Sequence, residues 1–239
     1  ALEQDARQHA GSPAGARTGL KLRAPIRSGA MGSNGGMNPL QTAPAATLIL
    51  ATFVIASLWA LYAAPGMIER GVLRPYTLVA RNEWHTLVTS AFLHADLAHL
   101  FFNGFTFWAF AFSLERTIGS PMFLLLYFFG LLASDAGTYF KHRGDPAYAT
   151  LGASGAILAV LFASIVYFPT ASIFILPIPV PIPAPLFAVA YLAYTWYASR
   201  QGRGRINHDA HFSGAIAGLV FVALTEPAVF QHAIDTVFG

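Results

Sequence analysis

The chain has 239 residues, of which 55% are hydrophobic and only 10% are charged. A soluble globular protein carries about 25% charged residues, so this composition cannot cover a water-facing surface and suits a lipid-facing one. The net charge of +3 comes from dispersed basic residues, which argues against nucleic-acid binding, and the absence of cysteine excludes thiol catalysis and cysteine metal sites.

Residues 1–44 are predicted to form a disordered N-terminal tail. They are rich in Gly, Ala, Ser, Arg and Pro and show no apolar periodicity. No apolar run follows the first basic residues, so a secretory signal peptide is not expected. Met31 and Met37 lie just before the apolar part of the chain. This gives the hypothesis that the residues before them are partly non-native.

Six apolar segments follow the tail and are predicted to be membrane-spanning helices. A spanning helix needs about 20 apolar residues, and flanking uncharged residues extend most of the segments towards that length. Charged residues are almost absent inside them, so the alternative of a soluble helical bundle lacks the polar helix faces it needs. The segments are 47–62, 98–112, 121–139, 150–168, 185–199 and 210–224.

Between the fourth and fifth segments, prolines occupy every second position from Pro177 to Pro185. Alternating prolines favour an extended, polyproline-like path, because each ring fixes its own backbone angle and removes a hydrogen-bond donor. This stretch is therefore predicted to be a stiff apolar connector.

A first polar cluster, containing His94, His99 and Asn103, stands at the start of the second segment. Polar groups inside membrane helices are costly, so each is a functional candidate. His99 and Asn103 are four residues apart and share one helix face. Hydrogen bonding between helices is the alternative role for both side chains.

A second cluster, Gly152-Ala153-Ser154-Gly155, lies near the start of the fourth segment. Glycines on both sides of Ser154 keep its hydroxyl accessible and allow another backbone to approach closely. A packing patch of small residues is the alternative interpretation of Gly152 and Gly155.

A third cluster opens the sixth segment, where His211, Gly214 and Gly218 share one helix face. The G-x-x-x-G pair of Gly214 and Gly218 permits close backbone contact with another helix. If that helix is the fourth segment, with Gly155 at the contact, His211 comes close to Ser154.

The three clusters are expected at a similar shallow depth, because the second, fourth and sixth segments all begin on the same side. A serine hydroxyl needs a base to become a good nucleophile, and histidine suits that task near neutral pH. Asp209 faces away from His211 if the segment is helical, and Asp135 is interpreted as a structural acid. The pattern therefore predicts a Ser154–His211 dyad without a third member.

With these residues the sequence resembles the rhomboid family of intramembrane proteases. The family's G-x-S-G motif appears at 152–155, its H-x-x-x-x-H-x-x-x-N pattern at 94–103, and its A-H-x-x-G-x-x-x-G motif at 210–218. The resemblance implies an all-α membrane protein, a six-transmembrane-helix rhomboid-like bundle with the disordered N-terminal tail. The membrane domain would span 45–226, with a short C-terminal tail at 227–239.

The resemblance also implies a serine endopeptidase that cleaves single-spanning membrane proteins within the lipid bilayer and uses no cofactor. Ser154 would be the nucleophile and His211 the general base. His99 and Asn103 would line the oxyanion hole, and His94 would support the loop before the second segment.

Two positions depart from the family pattern. Trp84-His85 stands where the family usually has Trp-Arg. Leu158 stands where many relatives carry an aromatic ring that stacks on the catalytic histidine. The orientation of His211 therefore needs a different support.

We expect the chain in a bacterial cytoplasmic membrane rather than in the mitochondrial inner membrane. The family usually places the N-terminus in the cytoplasm and the active site towards the outside. Lys and Arg concentrate on cytoplasmic loops in most membrane proteins. Here they are more frequent in loops after the odd-numbered segments, which favours the opposite orientation.

Two other hypotheses remain. One is a non-catalytic rhomboid-like membrane binding protein, although such relatives typically lack the serine or the histidine. The other is a histidine-lined metal transporter, in which His94, His99, His208 and His211 converge, since imidazole is a good metal ligand. No H-E-x-x-H motif is present, and no carboxylate pairs with these histidines in the sequence.

Overall fold

The computed structural model describes residues 38–175, 178–201 and 206–239, so the predicted tail at 1–37 lies outside the described residues. Each of the six apolar segments contains a helix, and shorter helices and one β-hairpin connect or flank them. The elements are α1 Pro39–Thr42, α2 Pro44–Tyr62, α3 Gly66–Gly71, α4 Pro75–Leu78, α5 Thr86–Thr89, a 3₁₀ turn Ser90–Phe92, α6 Leu97–Ile118, α7 Ser120–His142, α8 Ser154–Tyr167, β1 Ser172–Ile175, β2 Ile178–Pro183, α9 Ala184–Gln201, α10 His208–Thr225 and α11 Pro227–Phe238.

Residues 38–44 are ordered, so the prediction of a disordered tail is wrong for this stretch. The side chain of Asn38 caps α1 by accepting a hydrogen bond from the Leu40 N–H at 3.0 Å. Pro39 and Pro44 occupy the first positions of α1 and α2, where a missing N–H costs nothing.

Residues 227–239 form a helix, so the prediction of a short C-terminal tail is also wrong. The helix α11 begins at Pro227 and turns by 115° from α10. Ala233 is buried, and Val229 and Phe230 pack against the main core. Apolar residues at helical spacing thus give α11 a face that burial stabilises.

Within the proline-rich connector, Ile178–Pro183 is extended, as its prolines predict, and pairs with another strand as β2. Pro177 lies outside the described residues, and Pro185 already belongs to α9, so the extended path ends before the last proline. β2 forms an antiparallel hairpin with β1. Prolines at every second position of β2 leave their missing donors on one edge, and the intervening N–H groups face β1. The paired residues are Ser172 with Pro183, Ile173 with Ile182, and Ile175 with Ile178.

The short helix α8 is the centre of the molecule. Every residue from Gly155 to Val166 is buried, and α6, α7 and α10 pack around it. A helix that is apolar on all sides is stable only when it is enclosed in this way. Its 14 residues span about 21 Å at 1.5 Å per residue.

The outer surface of the bundle is strongly apolar. Large side chains such as Trp59, Trp108, Leu125 and Val189 are more than half exposed, and contiguous apolar surface of this kind marks contact with a membrane. On length and composition, α2, α6 and α7 are each sufficient to cross a membrane, and α10 with α11 would be a fourth span, bent at the break. The chain is a membrane protein.

The buried side chain of Glu115 joins three helices at one end of the bundle. Its carboxylate accepts hydrogen bonds from the Ala45 N–H at 3.0 Å and the Ala46 N–H at 2.6 Å, both in the first turn of α2. It also accepts one from Ser120 Oγ at 2.5 Å, at the start of α7. A carboxylate suits this position, because the first N–H groups of a helix have no acceptor within it.

We expect Glu115→Gln to lower the free energy of unfolding by about 1–3 kcal/mol. The amide NH₂ of glutamine would face a donor, so a buried hydrogen bond would be lost. Thermal unfolding in detergent measures the change. Glu69→Gln is the control, since Glu69 is exposed and its ion pair with Arg74 is a surface pair of small worth. An equal effect of the two substitutions would contradict the prediction.

Candidate active site

The structure brings Ser154 and His211 into direct contact. Nε2 of His211 lies 2.8 Å from Oγ of Ser154. Ser154 is the first residue of α8, and His211 lies in the first turn of α10. The two side chains therefore meet where these helices begin, although 57 positions separate them in the chain.

Close packing of α10 on α8 produces this contact. A Cβ atom on Gly214 would collide with the carbonyl oxygen of Gly155 and lie 2.8 Å from its carbonyl carbon. A Cβ atom on Gly218 would meet the carbonyl of Ala159 in the same way. Glycine is required at both positions, because the obstacle is backbone that cannot rotate away.

His99 and Asn103 lie against the loop that precedes Ser154. Gly152 has φ = +116°, a conformation that favours glycine. A Cβ atom at this position would lie 2.6 Å from Nε2 of His99 and 3.5 Å from Nδ2 of Asn103. Asn103 is buried, and its Nδ2 has no hydrogen-bond partner among the described residues. A donor without an acceptor thus stands beside the loop.

His94 is fully buried, and its ring packs against the ring of His99. The Nδ1 of His94 lies 2.8 Å from Oγ of Ser57, and that hydroxyl bonds to the carbonyl of Phe92 at 3.1 Å. Its ring meets the His99 ring edge-on, with centroids 4.9 Å apart. Burial, with a smaller contribution from His99, lowers the pKa of His94 to about 3. His94 is therefore neutral at physiological pH and donates from Nδ1 to Ser57.

Hydrogen bonds join the loop between α7 and α8 to the loop between α3 and α4 and to the start of α10. Backbone hydrogen bonds of 3.0 Å in both directions join Leu73 and Thr150. The side chain of Asn207 donates to Thr138 Oγ1 at 2.9 Å and to Thr150 Oγ1 at 3.2 Å. It also caps α10 by accepting from the Ala210 N–H. Sequence reasoning missed Asn207, although an asparagine before an apolar helix is a capping signal.

Neither Asp209 nor Asp135 bonds to His211. Asp209 lies 2.7 Å from Nζ of Lys141 and 2.9 Å from Nε2 of His142. Asp135 is buried, and its Oδ2 has no hydrogen-bond partner in the described part of the chain. Among the described residues, His211 therefore has no carboxylate hydrogen-bond partner of the kind that completes a serine protease triad.

Tyr191 on α9 is the partner of the second ring nitrogen of His211. Its Oη lies 3.1 Å from Nδ1 of His211. The Tyr191 ring packs against Phe162 of α8 and Phe187 of α9, with centroids 5.9 Å and 5.4 Å away. Sequence reasoning missed this residue, because α9 is rich in aromatic residues and no pattern distinguishes one of them.

The structure also describes the two positions that depart from the family pattern. Leu158 is buried among apolar side chains on α8, so the support of His211 comes from α9 instead. Nε2 of His85 lies 3.3 Å from the carbonyl oxygen of Arg70 and links α5 to α3. Position 85 thus still joins two parts of the loop before α6.

The metal-transporter hypothesis gains no support from the geometry. Within residues 38–175, 178–201 and 206–239, no group of three or more His, Asp and Glu side chains is arranged to hold a metal ion. His94 and His99 form one ring pair, and His208 and His211 form another with centroids 6.1 Å apart.

Comparison with known proteins relates this chain to one protein family. Residues 81–227 match the family model described as Rhomboid domain. The chain is 38% identical to the putative rhomboid protease YdcA of Bacillus subtilis (strain 168) over 121 residues, which cover 49% of this chain and 59% of that protein. It is 40% identical to rhomboid protease GluP of the same organism over 87 residues, 36% of this chain and 16% of that protein. It is 31% identical to RHOMBOID-like protein 12, mitochondrial, of Arabidopsis thaliana over 151 residues, 57% of this chain and 45% of that protein. The chain thus spans less than two thirds of each of these relatives.

Proposed function

The chain belongs to the rhomboid family, and from this premise we propose that it is an intramembrane serine endopeptidase acting through Ser154 and His211. The observation that carries the proposal is the 2.8 Å contact between Ser154 Oγ and His211 Nε2. A nucleophile within hydrogen-bond reach of a base is the arrangement that acyl transfer requires.

In the proposed reaction, Ser154 Oγ attacks the carbonyl carbon of the scissile peptide while His211 Nε2 takes the hydroxyl proton. The tetrahedral intermediate collapses when His211 returns that proton to the leaving amine. An acyl ester on Ser154 remains. Water then attacks the ester, again with His211 as base, and releases the acid product and the free hydroxyl.

The oxyanion of each tetrahedral intermediate needs donors that are already in place. Three candidates surround the loop at Gly152. Ser154 is the first residue of α8, so its N–H has no acceptor within that helix. Nδ2 of Asn103 is buried without a partner among the described residues, and the ring of His99 lies beside it.

The length of α8 favours a site below the membrane surface. Its span of about 21 Å is shorter than the hydrocarbon core of about 30 Å. The six-helix bundle implied by the family would enclose α8, so that Ser154 at its start lies at the depth of the lipid. A substrate peptide bond would reach this depth as part of a membrane-spanning helix that unwinds locally.

For location we propose a bacterial cytoplasmic membrane, with the active site towards the outside. The support is the family's usual orientation and the similarity to two bacterial relatives. Protease treatment of sealed inside-out vesicles tests the orientation. Cleavage of residues 1–37 in inside-out vesicles, and their protection in right-side-out vesicles, is the expected result, and the reverse pattern would contradict it.

Cleavage of a single-spanning protein in liposomes tests the proposed activity. The purified chain is reconstituted with a substrate whose helix contains a small-residue, helix-destabilising site. The new termini, read by mass spectrometry, should lie within the hydrocarbon region. The alternative function, a non-catalytic membrane binding protein, predicts capture of the intact substrate without cleavage and no covalent reaction of Ser154 with a fluorophosphonate.

We expect Asn103→Ala to lower kcat about 10²- to 10³-fold with little change in KM, since the lost donor acts on the oxyanion and not on the bound substrate. Steady-state cleavage in detergent measures both constants. Gln231→Ala on the exposed side of α11 removes the same functional group far from the site and is the control. A kcat close to that of the parent chain would remove Asn103 from the oxyanion hole.

A further inference from the structure

We propose that Tyr191 is a positioning residue that fixes the orientation and tautomer of His211 by accepting a hydrogen bond from its Nδ1–H. The inference rests on the proposed function and deepens it. It is carried by the 3.1 Å contact between Tyr191 Oη and His211 Nδ1, opposite the 2.8 Å contact with Ser154.

The chemistry of a neutral imidazole determines the direction of both hydrogen bonds. One ring nitrogen carries a hydrogen and the other is an acceptor. For His211 to take the proton of Ser154, its Nε2 must be bare, so the hydrogen must be on Nδ1. Nδ1–H then needs an acceptor, and within the described part of the chain the oxygen of Tyr191 lies within hydrogen-bond reach. A phenol oxygen can accept while its own hydrogen points elsewhere.

The alternative tautomer would stop the reaction. If Tyr191 donated its hydrogen to Nδ1, the ring hydrogen would sit on Nε2 and point at Ser154 Oγ. Nε2 could then accept no proton. The acceptor role of Tyr191 is therefore the productive one, and it also stabilises the imidazolium that forms when His211 is protonated.

The position of the Tyr191 hydroxyl is itself fixed by packing. The ring stacks on Phe187 at an interplanar angle of 24° and contacts Phe162 of α8. On the same turn of α9, the buried side chain of Thr195 bonds back to the Tyr191 carbonyl at 2.9 Å. The two ring contacts pack the Tyr191 side chain against α8, and its Oη lies against His211 of α10.

Neither Asp209 nor Asp135 serves as the partner of His211 Nδ1 in the described structure. Asp209, the acid closest in sequence to His211, accepts from Lys141 and His142. A carboxylate beside His211 would also place a charge in the apolar interior, and burial of a charge is expensive. A neutral phenol can orient the ring without that cost, which is the physical reason for a tyrosine at this position.

Tyr191→Phe in the full chain tests the proposal, because it removes one oxygen and keeps the packed ring. We expect the rate of fluorophosphonate labelling of Ser154, and kcat, to fall about ten- to a hundredfold, since the lost bond is to a group that becomes charged. KM and the unfolding temperature should stay unchanged. Tyr197→Phe, an exposed tyrosine on the same helix, is the matched control and should react like the parent chain.

A second measurement reports on the tautomer and does not depend on activity. In the chain labelled with ¹⁵N-histidine, the signals that are missing from His211→Ala belong to His211. The parent chain should show hydrogen on Nδ1 and a bare Nε2, and Tyr191→Phe should show a mixture of the two tautomers. An unchanged tautomer, or unchanged labelling with the parent's KM, would overturn the proposal.

Different results would contradict the proposed function and the role of Tyr191. If the parent chain is not labelled at Ser154 under any condition, the proposed function fails, and the ¹⁵N spectra still decide the role of Tyr191. If the parent chain is labelled and Tyr191→Phe is labelled equally fast, only the role of Tyr191 fails. A raised KM with a lowered unfolding temperature and an unchanged tautomer would assign Tyr191 a structural role and would also overturn the proposal.

Discussion

Ser154→Ala is expected to abolish labelling by a fluorophosphonate and to lower cleavage of a membrane substrate by about four to six orders of magnitude. The alanine side chain has no nucleophile, and the Tyr191 hydroxyl contacts Nδ1 of His211 and not the base nitrogen Nε2. His211→Ala should have a similar effect, because the Ser154 hydroxyl then has no base. Labelling is read by mass spectrometry and cleavage by product formation in liposomes.

The double variant makes this prediction sharper. Ser154 and His211 would act as one unit, so removing both should cost no more than removing either. Ser172→Ala is the matched control, since Ser172 is an exposed serine in β1, outside the site. Independent, additive losses would contradict a dyad. Retained cleavage in Ser154→Ala would show that another residue is the nucleophile.

The main helices could be predicted because an apolar run, and the set of residues that share one helix face, depend only on residues close together in the sequence. The order of the six segments and the shared face of His211, Gly214 and Gly218 follow from spacing alone. The helices at both ends of the described chain were missed for a related reason. Residues 38–44 are too short to show a periodic signal. Residues 227–239 have apolar side chains at helical spacing, but a helix of 12 residues is marginal on its own, so its stability depends on contacts with the bundle.

Contacts between site residues could be predicted only where sequence motifs mark the two helices that meet. Small residues on two helices indicated where α8 and α10 meet, and the meeting of Ser154 with His211 follows from that geometry. Tyr191 and Asn207 act across helices, and nothing near them in the sequence specifies their partners. Contacts of this kind depend on how the helices pack, which local periodicity does not encode.

Gly214→Ala is expected to lower activity about a hundredfold or more and to destabilise the fold by about 1–3 kcal/mol. The new methyl group would collide with the carbonyl oxygen of Gly155, so α10 must move away from α8. His211 lies one turn before Gly214 on the same helix. Its Nε2 would therefore leave hydrogen-bond range of Ser154, and a displacement of about 1 Å is enough for such a loss.

Substitutions at two further glycines distinguish displacement of His211 from general loss of stability. Gly144→Ala meets nothing within 4 Å and should leave labelling and the unfolding temperature unchanged. Gly218→Ala creates the same backbone collision, with Ala159, but one turn further from His211. Its unfolding temperature should fall as far as that of Gly214→Ala, and its labelling rate should fall less, because α10 can pivot about the collision and keep its first turn near α8.

Equal losses of labelling in the two variants would mean that general destabilisation, and not the position of His211, limits the reaction. Unchanged labelling in Gly214→Ala would mean that the contact between Gly214 and Gly155 does not position the base.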